Sequence, residues 1–229
     1  MLEDAARLDG RPAAWLDRRL IAGYRLAFAA LVVAAIVVQM LDAAARGVLN
    51  PFNFFSYFTI QSNLIGVAAF VAAAVAWRPT RSRALDLVRG AAVVYLTVTF
   101  VVFAILLSGT DVDTAIPWVD TVVHRVFPVV VIADWLLDPP AVRITFRQSL
   151  VWLVYPLAWV GYTLLRGVVV DWYPYPFLNP ANGGYGTVAV YVVAILLFGI
   201  VLCWAVSAVG SAMRSHRRGI SATGELPAR

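Results

Sequence analysis

Residues 187–210 read TVAVYVVAILLFGIVLCWAVSAVG, a stretch without one charged side chain. At about 1.5 Å of rise per residue, such a stretch is long enough to cross the roughly 30 Å hydrocarbon core of a bilayer as a single helix. Working outward from it, comparable apolar runs occupy 20–41, 54–77, 87–107, 117–137 and 149–165. The sequence therefore predicts an all-α integral membrane bundle of six transmembrane helices over 20–210. A mixed-charge tail, 1–19, precedes it and a basic tail, 211–229, follows. Of the 229 residues, 62% are hydrophobic and 14% charged, and the mean hydropathy is +0.81. Six spans of about 20 residues leave short loops and no separate soluble domain. The first tail is too acidic and polar to act as a secretory leader. Connections as short as 78–86 and 108–116 make sequential helices antiparallel neighbours.

Composition removes several chemistries. All eighteen basic residues are arginine, so Schiff-base chemistry and lysine-dependent phosphate loops are excluded. Cys203 is the single cysteine, which leaves no structural disulfide and no thiolate cluster. Only His124 and His216 are histidines, and only His124 lies in an apolar run, which argues against an intrachain bis-histidine haem or di-iron centre. No cofactor and no metal are expected. The G-x-S-x-G nucleophile elbow and the H-E-x-x-H zinc motif are also absent.

Arginine placement gives an orientation, because basic residues near span ends are retained in the cytoplasm. Arg7, Arg11, Arg18 and Arg19, then Arg78, Arg81, Arg83 and Arg89, then Arg143 and Arg147, then Arg214, Arg217, Arg218 and Arg229 fall on one side. Only Arg46 and Arg166 fall on the other. Both termini are accordingly predicted to be cytoplasmic. The net charge of +5 points to anionic membrane lipids as partners rather than to nucleic acid. Homo-oligomerisation is left open. Arg25 stands close enough to the cytoplasmic end of its helix to snorkel, whereas Arg125 lies too deep to do so cheaply. On the opposite face, the segment from Asp171 through Tyr173, Pro174, Tyr175, Pro176 and Phe177 to Gly186 breaks the helix with prolines and glycines. Its aromatic residues suit an interfacial belt, or the mouth of a pocket admitting amphiphiles.

Intramembrane polar residues cost about 2.5–3.5 kcal/mol each when ionisable, so they mark function by default. The second run places Ser56, Thr59, Ser62, Asn63 and Gly66 on one helical face, flanked by Tyr57 and Gln61. The fourth carries Asp120, Thr121, His124, Arg125, Pro128 and Asp134. Asp120 and His124 are four apart, so the carboxylate can hold one ring nitrogen and leave the other as a proton acceptor. Pro128 opens the backbone one turn below the histidine. If the two spans start just after Pro51 and at Pro117, Thr59 and His124 lie at matching depths of about 10–12 Å. Tyr155 and Trp159 on the fifth span are further candidates to line such a pocket.

Three patches now stand together: Tyr57-Phe58-Thr59 early in the second helix, His124 followed by Pro128 in the fourth, and Tyr-Pro-Phe (175–177) before the last. The combination resembles the androgen-induced protein family of six-helix membrane threonine hydrolases, which cleave fatty-acid esters of hydroxy fatty acids. The resemblance implies Thr59 as nucleophile, His124 as base and a lipid ester as substrate. The arginine-only, alanine- and valine-rich usage suggests a bacterial member, from a high-GC genome, in the plasma membrane. Under that reading Asp120 orients the imidazole. Oxyanion donors would be sought among Asn63, Gln61 and Tyr57, or in Arg125, because mid-helix amides are already bonded. Arg125 would grip a substrate carboxylate, with Ser62, Tyr155, Trp159 and Tyr175 around the substrate. Two other readings compete: a transporter or lipid-binding protein using the same polar stripe, and a non-catalytic scaffold in which these groups lock helix packing.

Overall fold

The computed structural model describes the backbone of residues 12–76, 81–107 and 116–223, and side chains between 19 and 215. Arg78, most of the 108–116 connection, the His216 side chain and the outer parts of both tails fall outside what is described. Every regular element among the described residues is helical. Helix α1 runs Pro12–Ala45, α2 Pro51–Phe54, α3 Phe58–Val75 and α4 Arg83–Val102, the last continued by a π-turn over Phe103–Leu107. Helix α5, Pro117–Thr121, passes through a second π-turn, Val122–Val126, into α6, Phe127–Leu137. Helix α7, Phe146–Ser149, leads by a 3-10 turn at Leu150–Leu153 into α8, Val154–Val170, and α9 spans Gly184–Thr223. Helices α1 and α9 thus begin before and end beyond the span boundaries read from hydropathy.

Five helical segments are long and apolar enough to cross a membrane: Arg19–Ala45, Phe58–Val75, Arg83–Leu107, Phe146–Val170 and Gly184–Ser215. The protein is therefore an integral membrane helical bundle. The expected fourth run, 117–137, is helical from end to end. It stands outside that class because it carries Asp120, Arg125 and Asp134.

Helix α4 is the axis of the bundle. Half of its most apolar window is buried, against 22% for the windows in α8 and α9, so the last two helices turn most of their surface outward. Val168, Val169, Val190, Leu197, Val201 and Trp204 are exposed there, as suits side chains that meet lipid rather than water. Small residues set the close approaches. A methyl added at Gly66 would stand 2.7 Å from the Phe127 ring, and one at Gly90 would stand 2.2 Å from the Trp152 ring.

One end of the bundle is closed by charge. Arg25 Nε meets Asp134 Oδ1 at 2.7 Å and its Nη2 meets Asp138 Oδ2 at 2.6 Å. Arg89 Nη2 reaches Asp134 Oδ2 at 2.7 Å. Arg81 pairs with Asp138, while Asp86 accepts the amide of Ala141 at 2.6 Å. Arg25 therefore does not snorkel. It is 3% exposed and its charge is neutralised inside the bundle. Tyr24 adds a hydrogen bond to Asp134. At Asp138, just past the end of α6, burial pushes the carboxyl up, but Arg81 and Arg89 beside it, with hydrogen bonds from Arg81 and Arg25, bring it below the usual aspartate value.

Candidate functional site

At the opposite, aromatic end, the stretch 51–63 departs from the continuous helix expected. Chain direction changes at residues 55–57, and α3 starts only at Phe58 with Tyr57 extended as its N-cap. The break is held from α8. Trp159 Nε1 donates to the Ser56 carbonyl at 3.0 Å, Arg166 Nη2 donates to Asn53 Oδ1 at 2.7 Å, and Tyr155 donates to the Gln61 side chain. Gln61 Nε2 in turn caps the Phe55 carbonyl at 2.6 Å. Thr59 is thus the second residue of its helix rather than a mid-helix position. Its amide belongs to the first turn, where no carbonyl one turn earlier exists to accept it.

A side chain from a distant loop takes that amide. Tyr175 Oη accepts the Thr59 N–H at 3.1 Å and lies 3.2 Å from Thr59 Oγ1. Burial pushes the Tyr175 phenol above the usual tyrosine range, an effect that hydrogen bonds from Thr59 and the Phe58 amide only partly offset, so it stays a neutral O–H. The loop places it there by stacking Tyr175 on Phe177 at 5.3 Å and by packing Tyr57 edge-on against Trp172 and Tyr175.

The second polar helix supplies an Asp-His pair. His124 Nδ1 lies 2.9 Å from Asp120 Oδ1, as the four-residue spacing predicts. The ring, 6% exposed, stacks on Phe103 at 4.0 Å. Its Nε2 has no hydrogen-bond partner among the described residues. Arg125 leans over the other part of this cluster, 5.3 Å from the Phe103 ring centre and 3.6 Å from Asp120 Oδ2. Its side chain is 53% exposed, and it pairs with neither Asp42 nor Asp134.

The π-turn at Val122–Val126 explains how the two helices are joined. Phe127 N–H bonds the Val122 carbonyl, five residues back, and Pro128 has no N–H to give. Neither amide therefore serves the Val123 carbonyl, and Asn63 Nδ2 donates to it from α3 at 3.1 Å while also donating to the Thr59 carbonyl at 2.8 Å. π-turns of this kind cluster at functional sites. A second one begins at Phe103, the residue that stacks on His124.

Thr59, His124, Tyr57, Tyr175, Gln39 and Leu107 line one cavity of about 640 Å³, counting its open side. A second, almost wholly apolar cavity of about 830 Å³, also counted with its mouth, runs between α4, α8 and α9 and ends on Thr59, Trp159 and Tyr175. The Thr59 and Tyr175 hydroxyls stand where the two meet.

The sequence-derived candidates divide accordingly. Thr59, His124, Asp120, Tyr57, Tyr175 and Trp159 converge on this junction. Asn63 is spent on carbonyls, Ser62 bonds the Thr59 carbonyl and Thr99 Oγ1, and Gln61 is spent on Tyr155 and the Phe55 carbonyl. None of these three is placed as an oxyanion donor, because each bridges helices instead. No hydrogen bond joins Thr59 to His124. The Thr59 amide as a donor escaped the sequence reading, since only the break at 55–57 makes it available. Compared with family models, with curated proteins and with solved structures, the chain has no match in any of the three. The resemblance to the androgen-induced protein family thus rests on its three sequence patches.

Proposed function

We propose that this protein is an intramembrane hydrolase of fatty-acyl esters, with 117–137 as a sixth span, both termini cytoplasmic and the Thr59 cavity opening toward the outer leaflet. The observation that supports it most is the shared cavity: Thr59 and His124 both line it, and the histidine is held through Nδ1 by Asp120 at 2.9 Å, with Nε2 unpaired among the described residues. In the proposed reaction Thr59 Oγ1 attacks the ester carbonyl carbon and its proton passes to His124 Nε2. The tetrahedral intermediate collapses, the C–O bond to the alcohol breaks, and the alkoxide leaves with that proton. Water then attacks the acyl-threonine, gives a proton to Nε2, and the Thr59 hydroxyl is restored as the fatty acid departs. Asp120 keeps the imidazole in the tautomer that accepts at Nε2.

Oxyanion stabilisation falls to the Thr59 N–H and the Tyr175 O–H. Tyr175 Oη, 3.1 Å from that amide and 3.2 Å from Oγ1, occupies the position an ester carbonyl oxygen needs before attack. A carbonyl oxygen displacing it receives the amide proton, with the neutral phenol beside it as second donor. The apolar cavity between α4, α8 and α9 takes the acyl chain. The test is hydrolysis of a fatty-acyl ester panel by detergent-purified protein beside Thr59→Ala and His124→Ala.

One observation favours a second reading. Thr59 Oγ1 is bonded to Tyr175 rather than to His124, which suits a scaffold in which the two hydroxyls only cap α3. On that reading Thr59→Ala lowers the melting temperature and no ester is turned over. A transport path is disfavoured, because Arg25, Arg89 and Asp134 fill the arginine-rich end of the bundle.

A further inference from the structure

The arginines of the charged end fall into two classes. Arg25, Arg81 and Arg89 are consumed by Asp86, Asp134 and Asp138 within 4.0 Å. Arg143, on the loop after α6, and Arg214, near the end of α9, make no ion pair or hydrogen bond among the described residues. They converge, with Ser211 and Ser215, on a separate hollow of about 490 Å³ counted with its open side, and no carboxylate among the described residues lines it. The Arg214 Nε is shielded from solvent without an acceptor among the described residues. The Ser215 hydroxyl donates to the Ala212 carbonyl at 2.7 Å, while Ser211 Oγ makes no hydrogen bond among the described residues. Leaving a shielded guanidinium N–H unsatisfied is costly, so such a hollow calls for an acceptor that the described residues do not supply.

We propose that this hollow binds a phosphate group. Two guanidinium groups and a serine hydroxyl present donors around one small space, and a tetrahedral oxyanion with several acceptor oxygens satisfies donors from more than one direction. A carboxylate offers fewer oxygens for donors arriving from two separate elements. The hollow's Ser211, Arg214 and Ser215 come directly after the uncharged run 187–210, which sets it near the depth where lipid headgroups begin. The phosphodiester of an anionic phospholipid is one source of the group, and a soluble phosphate is the other. Net charge alone does not distinguish this site from its surroundings. Arg83 and Arg147 are also exposed at this end but lie outside the hollow, so they serve as controls.

The experiment uses the full chain. Protein reconstituted in phosphatidylcholine vesicles with a minor fraction of phosphatidylglycerol is extracted in mild detergent, and bound lipid is counted by native mass spectrometry. The same protein is titrated with inorganic phosphate by calorimetry. Wild type is expected to retain one phosphatidylglycerol against excess phosphatidylcholine if the source is lipid, or to bind inorganic phosphate if it is soluble. Arg143→Gln and Arg214→Gln are each expected to weaken that binding about tenfold, with Arg214→Lys intermediate and Arg147→Gln unchanged. Unchanged melting temperatures for the variants establish that they fold. Binding of neither ligand by wild type overturns the proposal. So does equal binding by wild type and both glutamine variants, or an equal loss in Arg147→Gln, which would assign the effect to general surface charge.

Discussion

Tyr175 Oη bridges the amide and the hydroxyl of Thr59 at 3.1 and 3.2 Å, and two roles for it give separable outcomes. As an oxyanion donor, Tyr175→Phe lowers kcat about 100-fold or more with little change in KM, on the scale of a lost oxyanion donor. As a cap alone, the same substitution costs about 1 kcal/mol of stability and leaves turnover per folded molecule unchanged. Steady-state kinetics and a thermal melt on one preparation distinguish the two. At Asp120, whose Oδ1 is 2.9 Å from His124 Nδ1, substitution by Asn replaces the carboxylate with an amide that can turn an N–H toward Nδ1 and favour the wrong tautomer. We expect kcat to fall at least about 100-fold, the direction seen when a triad carboxylate becomes an amide. Undiminished turnover in Asp120→Asn would remove Asp120 from the mechanism. The Asp-His pair was legible in the sequence, because a spacing of four on a helix leaves few alternatives. The Thr59 amide was not, because its availability depends on a break at 55–57 that tertiary bonds from Trp159, Tyr155 and Arg166 hold open.

At the scale of elements, the two π-turns and the glycines position the site. Gly90 lets α4 approach Trp152 so closely that a methyl there would stand 2.2 Å from the ring. Gly90→Ala is therefore expected to destabilise the bundle by about 1–3 kcal/mol, read as a lowered melting temperature in detergent. An unchanged melt would contradict the packing described here. Hydropathy located most helices to within a few residues, since length and apolarity dictate them. It could not locate the π-turn at Val122–Val126, whose sequence marker is only Pro128, nor the bond from Asn63 that compensates it. Run 117–137 carries Asp120, Arg125 and Asp134: Arg25 and Arg89 of neighbouring helices pair with Asp134, whereas Asp120 pairs within its own run with His124 and Arg125.

Across the whole molecule, the two ends have opposite characters. An aromatic end holds the hydroxyl and imidazole, and a charged end ties α1, α4 and α6 together through Arg25, Arg89 and Asp134. Truncating Asp134 to Ala leaves two buried guanidinium groups short of a partner, with an expected loss of about 3–5 kcal/mol. Asp138 makes the same end sensitive to acid. Its carboxyl is held below the ordinary value, so the stability it contributes is fully present above the ordinary carboxylate pKa, about 4, and is lost as pH falls through the lower folded value. Wild type should hold its melting temperature down to about pH 5 and lose it below about pH 4. Asp138→Asn should melt lower at pH 7 and show a smaller acid decrement, and parallel pH profiles would contradict the assignment. Sequence reading took Arg89 as an orientation signal and Arg25 as a snorkelling side chain, because the partners of Arg25 lie more than a hundred positions away along the chain.

The central claim is that Thr59 and His124 act together on an ester. It is tested most directly by fatty-acyl ester hydrolysis with purified wild type, Thr59→Ala and His124→Ala, each shown to be folded by its melting curve. Turnover by wild type and its loss in both variants are expected, with an acyl group trapped on Thr59 in wild type alone. No turnover in wild type, or turnover unaffected by either substitution, would contradict it and leave the hydroxyls of Thr59 and Tyr175 as the cap of α3.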